Sequence, residues 1–206
     1  MLLYDYFRSS AAYRVRIALA LKGVAYARRH VMLLEDQQRS PEHLARNPQG
    51  FVPALEAEGR VLTQSLAIID WLDARYPDPR LIPADPDARA EALAQTMVIG
   101  ADIHPLNNLR VMRWLKNEGG LDEARRDAWT RHWIAQGFAA LEAMAGNGLY
   151  LGGDAPGIAD CFLVPQMFNA RRFGAPLDAF PKLVAADAAA CALPAFAEAH
   201  PNRVAP

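Results

Sequence analysis

Four prolines fall within the eleven residues Tyr76-Pro-Asp-Pro-Arg-Leu-Ile-Pro-Ala-Asp-Pro86. Proline fixes its own φ and has no amide proton to donate, so neither a helix interior nor a central strand tolerates this density. The run reads as an interdomain linker over residues 77–86. The chain differs in kind on its two sides: residues 1–80 alternate short apolar runs with helical stretches, whereas beyond about Asp87 the pattern is helix after helix. The expected organisation is an α/β domain at 1–80 and an all-helical domain at 87–206.

Within the first part, Leu2 to Phe7 has strand character and Ser9-Ser10 stands where a helix N-cap belongs. A helix is expected from Ala11 to Lys22, with Gly23 just past its end, where a left-handed residue closes many helices. Tyr26 to Met32 reads as a second strand, and Pro53 to Leu62 as a hairpin turning at Glu58-Gly59. The helical spacing of Leu66, Ile68, Ile69 and Leu72 predicts a helix from Ser65 to Tyr76, stopped by Pro77. In the second part the spacing predicts a long helix from Ala88 to about Leu115, broken or bent near Pro105, and further helices at Ala124–Met144, Ile158–Phe173 and Leu183–Ala199.

Charge excludes some partners. Twenty-two Lys and Arg stand against twenty-three Asp and Glu, and a net charge of -1 supplies no general field toward nucleic acid or an anionic membrane. No apolar run approaches the ~18 residues of a membrane span, and Met1 to Phe7 holds no basic segment ahead of an apolar one, so a cytoplasmic location is expected. Cys161 and Cys191 fit neither a disulfide framework nor a zinc site; no metal is expected, and both read as small buried residues.

Three local signals carry chemistry. Ser9 and Ser10, between a strand and a helix, are either an ordinary cap or a site where amide donors and the helix dipole favour an anion or thiolate. Val52-Pro53, just ahead of a hairpin strand, is either a trans proline at a strand edge or a cis one that frees the backbone of Val52 to pair with a peptide-like ligand. Ser65, after Gln64 at a helix start, is either another cap or a holder of a carboxylate. Arg8, directly after the first strand, lies where open α/β sheets bind their ligands.

Together these residues resemble a known family. The run Arg8-Ser-Ser-Ala-Ala-Tyr-Arg-Val-Arg-Ile-Ala-Leu-Ala-Leu-Lys-Gly-Val, the segment Asn47-Pro-Gln-Gly-Phe-Val-Pro-Ala-Leu, the pair Gln64-Ser65 and Asp102-Ile-His-Pro-Leu-Asn-Asn are similar to the zeta-class glutathione transferases. The likeness continues through Ala159-Asp160-Cys161 and Leu163-Val-Pro-Gln166 to Arg172-Phe173. It implies the glutathione transferase fold, a thioredoxin-like first domain followed by an all-helical one, a homodimer, and glutathione as cofactor. The implied activity is glutathione-dependent cis–trans isomerisation of a small diketo dicarboxylate, maleylacetoacetate or maleylpyruvate, in aromatic-compound catabolism. By resemblance Ser9 is the catalytic hydroxyl with Ser10 beside it, Val52 and Pro53 form the backbone clamp, and Gln64 and Ser65 take the γ-glutamyl end. Gln38, His104 and Asn108 fall at further glutathione contacts, and Arg8, Arg110 and Arg172 are the candidates for substrate carboxylates.

The chain departs from the family pattern at three positions. Ala11 stands in place of the cysteine of the Ser-Ser-Cys motif, Tyr13 in place of a tryptophan, and Gly157 where a threonine or serine usually opens the helix that carries Asp160. Glycine is only a few tenths of a kcal/mol poorer than serine as a cap, so that helix is expected to survive. Two other activities share the motifs: conjugation of glutathione to electrophilic or halogenated compounds, and glutathione binding without a reaction.

Overall fold

A computed structural model describes all 206 residues. Its elements run β1 (Leu2–Asp5), α1 (Ser10–Leu21), β2 (Ala27–His30), α2 (Pro41–Arg46), β3 (Ala54–Ala57), β4 (Arg60–Thr63), α3 (Ser65–Arg75), α4 (Pro86–Met97), α5 (Leu109–Asn117), α6 (Glu123–Met144), α7 (Ile158–Arg172), α8 (Pro181–Cys191), α9 (Pro194–Glu198) and α10 (Pro201–Val204). The chain divides into two units: Met1–Ile82 together with Cys191–Pro206, and Pro83–Ala190. The sequence reading carried the second domain to residue 206, whereas here the last sixteen residues cluster with the first unit.

The first unit is built on a mixed sheet of order β2-β1-β3-β4. β1 and β2 are parallel, with Leu3 opposite Arg28, because α1 carries the chain back between them. β3 runs antiparallel to both β1 and β4. The hairpin turns where expected, with Glu58 (φ 49°) and Gly59 (φ 74°) both left-handed, as a two-residue turn matched to strand twist requires. Leu3, Val15, Ile17, Leu19, Leu55, Ile68, Ile69 and Leu72 are all fully buried and form the core on which α1 and α3 pack.

The C-terminal segment is tied back by main-chain acceptors. Tyr13 donates its hydroxyl to Phe196 O (3.4 Å), Arg16 Nε donates to Ala199 O (3.0 Å), and Arg28 Nη2 to Val204 O (3.0 Å). The start of the linker is gathered in the same way. Buried Lys22 donates to Asp73 Oδ1 (2.5 Å) and to the carbonyls of Tyr76 and Pro79, while Asp73 accepts from the amides of Leu81 and Ile82.

The second unit is helical. The long helix is broken near Pro105, one of the two forms expected: after α4 the chain widens into a π turn at Val98–Ile103, tightens into a 3₁₀ turn at His104–Asn107, and restarts as α5 under a cap from Asn108. Pro105 supplies no amide for the ladder, and two glycines shape the space around the π turn. Gly100 faces Phe162 of α7 so closely that a Cβ would lie 3.2 Å from that ring, and a Cβ on Gly137 of α6 would lie 2.3 Å from Ile103. The stretch Leu183–Ala199, expected as one helix, is two, α8 and α9, because Pro194 opens a new helix and cannot continue the old one. Cys161 is buried as expected, but Cys191, at the end of α8, is exposed. α7 does form from Gly157 onward: Asp160 accepts from the amides of Gly157 (2.9 Å) and Leu151 (2.8 Å), so the carboxylate half of the cap holds without a hydroxyl. No helix is long and apolar enough to cross a membrane.

Candidate functional site

In the first unit the candidate residues sit on three loops and two helix starts. Ser9 caps α1: its backbone is extended (φ -69°, ψ 118°) and its Oγ accepts from Ala12 N at 3.2 Å. The cap uses a lone pair of the oxygen and leaves the hydroxyl proton to donate elsewhere. No acidic side chain occupies the first turn of α1, so the positive end of the helix dipole is not neutralised locally. Ser10 opens the helix beside it, half-buried, and Arg8 is exposed with its guanidinium 5.1 Å from the centre of the Phe7 ring.

The loop before Ser9 is held from behind by a residue that sequence reasoning passed over. Arg16 is fully buried and forks onto Asp5 Oδ2 (2.8 Å) and Phe7 O (3.0 Å). Burial pushes its pKa down and Asp5 opposes that shift. The signal was present as Arg14-Val-Arg16 inside an apolar helix, where charges have no reason to occur unless they are paired.

The second loop spans Asn47 to Pro53. Phe51 O meets His43 Nε2 (2.8 Å) and accepts from Asn47 Nδ2 (3.0 Å), while Asn47 Oδ1 accepts from Gln49 N (3.1 Å). Gly50 is required at its position: φ is 64°, and a Cβ would lie 3.1 Å from Gln38 O. Thus the Asn-Pro-Gln-Gly motif brings the Gln38 backbone and this loop together. The Val52–Pro53 bond is cis, the second of the two forms the sequence allowed. Val52 lies outside the strand ladder, which begins at Ala54, and packs in one apolar cluster with Tyr4, Tyr6, Val31 and Ala54, against which Phe7 also rests. Gln38 is 6% exposed; its Nε2 donates to Asp36 (3.1 Å) and its buried Oε1 has no partner in the chain.

The third element is the start of α3. Gln64 takes a left-handed φ of 66°, which is costly for a side-chain-bearing residue, and its Nε2 donates to Gln49 Oε1 at 2.7 Å. Gln49 is therefore part of the same constellation. Ser65 is buried and its Oγ accepts from Arg14 Nη1 at 3.3 Å. As at α1, no acidic residue lies in the first turn.

The other four candidates belong to the second unit. His104 begins the 3₁₀ turn, which α6 anchors through Trp129 Nε1 donating to Leu106 O (2.9 Å). Asn108 Oδ1 caps α5 by accepting from Val111 N (3.1 Å), so only its amide NH₂ remains to donate. Arg110 is exposed on the first turn of α5. Arg172, at the end of α7, donates to Asn169 Oδ1 (2.8 Å) and lies over the Phe173 ring.

Residues 3–80 match the family model of the glutathione S-transferase N-terminal domain. Maleylacetoacetate isomerase of Pseudomonas aeruginosa is 48% identical over 204 residues, covering 98% of this chain and 96% of the relative. Among solved structures, a holo maleylpyruvate isomerase described as a bacterial zeta-class glutathione S-transferase superposes with a TM-score of 0.97 at 44% identity, covering 100% of this chain and 99% of the other. Maleylacetoacetate isomerase of Anaeromyxobacter dehalogenans, with glutathione bound in its active site, gives a TM-score of 0.89 at 45% identity over 99% of this chain and 96% of the other. Similarity of this depth over the whole length, on a sheet, a cis proline and two serine-started helices in family order, means that the chain belongs to the zeta class of the glutathione transferases.

Proposed function

We propose that this chain binds glutathione through Ser9, Gln38, Val52-Pro53 and Gln64-Ser65 and catalyses cis-to-trans isomerisation of a small diketo dicarboxylate of the maleylacetoacetate or maleylpyruvate kind. The observation that carries the reading is the state of the Ser9 hydroxyl. Its oxygen is engaged by Ala12 N–H at the uncompensated positive end of α1, so its proton is available to a sulfur placed there. A donor of that kind at a helix N-terminus lowers a thiol pKa from its ordinary ~8.5 toward neutrality.

The residues present fit glutathione. The partnerless buried Oε1 of Gln38 can accept from an amide or ammonium group, and the start of α3 at Ser65 offers a hydroxyl and amide donors to a carboxylate. Val52, outside the ladder, has the backbone position from which an extended peptide is paired. When bound, glutathione supplies the thiolate that converts the cis double bond to a rotatable single bond and is released unchanged. The chain's own task is to keep that sulfur ionised through Ser9 and to hold the two carboxylates of the substrate. With a net charge of -1 the protein has no general attraction for a dianion, so the carboxylates are recognised by placed guanidinium groups, Arg8, Arg110 and Arg172, whose forked donors match them. His104 and the Asn108 amide are further glutathione contacts in this reading. The reading includes a homodimer, which rests on the likeness to the class, and the cytoplasmic location expected from the sequence.

The test is to offer maleylacetoacetate and maleylpyruvate with catalytic glutathione and follow appearance of the trans products. Formation of glutathione conjugates in place of trans products would favour the detoxifying transferase, and glutathione binding without turnover of any substrate the non-catalytic module.

A further inference from the structure

We propose that Arg14 is a positioning residue for the γ-glutamyl carboxylate of glutathione, acting from behind Ser65. The inference rests on the reading of Ser65 as the anchor of that end of the cofactor.

Arg14 projects from α1, is 2% exposed, and donates from Nη1 to Ser65 Oγ at 3.3 Å. A guanidinium only donates, so this bond fixes the serine oxygen as acceptor and leaves the hydroxyl proton to point to a further acceptor. The arrangement repeats the logic of Ser9, where Ala12 N–H occupies the oxygen in the same way.

Electrostatics adds a second argument. The start of α3 carries the positive end of an eleven-residue helix, its cap residue Gln64 makes no side-chain cap bond, and its first turn holds no acid. A buried guanidinium at this end raises the positive potential instead of neutralising it. Burial accordingly lowers the Arg14 pKa to about 9. A carboxylate on Ser65 would face the hydroxyl proton, the helix end and the charge behind them together, in surroundings where water screens little.

The experiment measures dissociation constants by calorimetry for glutathione and for its analogue in which the γ-glutamyl α-carboxylate is replaced by hydrogen. Wild type, Arg14→Gln, Arg14→Lys and Ser65→Ala are compared, with thermal unfolding recorded for each. Wild type should prefer glutathione by more than about tenfold, as a charge-assisted contact implies, and Arg14→Gln should reduce the preference to within about threefold. Arg14→Lys should fall between, because the charge stays and the fork is lost; it is the variant to read if Arg14→Gln does not fold. Affinity for the analogue should be nearly equal in wild type and the Arg14 variants. An unchanged preference in both Arg14 variants would overturn the inference while leaving the Ser65 reading intact. Tight glutathione binding by wild type with no preference for the carboxylate would remove the Ser65 reading and the inference with it.

Discussion

Replacing Ser9 by alanine removes an oxygen that the structure uses as a cap and that the proposed mechanism uses as a donor, and the two losses have separate readouts. As cap, Oγ satisfies Ala12 N–H at 3.2 Å, and its removal should lower global stability by about 1 kcal/mol, the usual cost of a serine-to-alanine cap substitution. As donor, it favours the thiolate over the thiol. Hydrogen bonds to charged groups contribute ~1.5–3 kcal/mol; Ser9 is half-buried, which puts it at the lower end. That corresponds to a rise of roughly one pKa unit in the bound thiol. Near pH 7 the ionised fraction of a thiol titrating near neutrality, and turnover with it, should therefore fall about five- to tenfold. Glutathione affinity should change less, because the rest of the peptide is held elsewhere. Ser9→Thr keeps both the cap and the donor and should restore most of the loss. The assay is titration of the thiolate absorbance of bound glutathione in wild type, Ser9→Ala and Ser9→Thr, at a temperature well below every unfolding midpoint. Coincident titration curves in wild type and Ser9→Ala would refute the argument, whatever happened to stability.

Asp160→Ala should cost about 2–4 kcal/mol in chemical unfolding, because it orphans the buried amide of Leu151 and the half-buried one of Gly157. Burial raises the Asp160 carboxyl from 3.8 to about 6, against the pull of its amide donors. A raised folded pKa contributes stability that is full below pH 3.8 and lost as pH rises through about 6, so the advantage of wild type over Asp160→Asn should shrink by at most about 3 kcal/mol between pH 4 and 7; an advantage that grows instead would contradict this sign. Gly50→Ala should destabilise by about 1–2 kcal/mol through its left-handed φ and weaken glutathione binding by pressing on Gln38 O, which unfolding and calorimetry check together. Arg8→Lys should impair turnover of the dicarboxylate far more than that of a neutral electrophile, since charge is kept and two-point geometry lost; equal losses would reassign Arg8 to glutathione or the fold.

Local punctuation was legible in the sequence and long-range ties were not. The proline run, Gly59, Ser9 and the cis Val52-Pro53 announce themselves because turn and cap chemistry depends on neighbouring residues. α2 went unseen: six residues are too short for periodicity to register, although Ser40 caps it by accepting from His43 N. The return of Cys191–Pro206 to the first unit depends on Arg16 reaching Ala199 O and Arg28 reaching Val204 O, partners far apart in the chain. Helical spacing carried the reading through Pro194 because alanine-rich sequence keeps any period, while the chain itself obeyed the missing amide. At the site, Gln49 and Arg14 were hidden because one lay in a loop motif and the other in an apolar helix; only the pairing with Gln64 and Ser65 gives them meaning.

An isomerase returns its glutathione unchanged, so counting glutathione against product separates it from a conjugating enzyme. With glutathione at a small fraction of the maleylacetoacetate or maleylpyruvate supplied, the expected result is many trans products per glutathione with free thiol constant throughout. Loss of one thiol for each substrate consumed, with both dicarboxylates, would contradict the isomerase and leave a conjugating transferase.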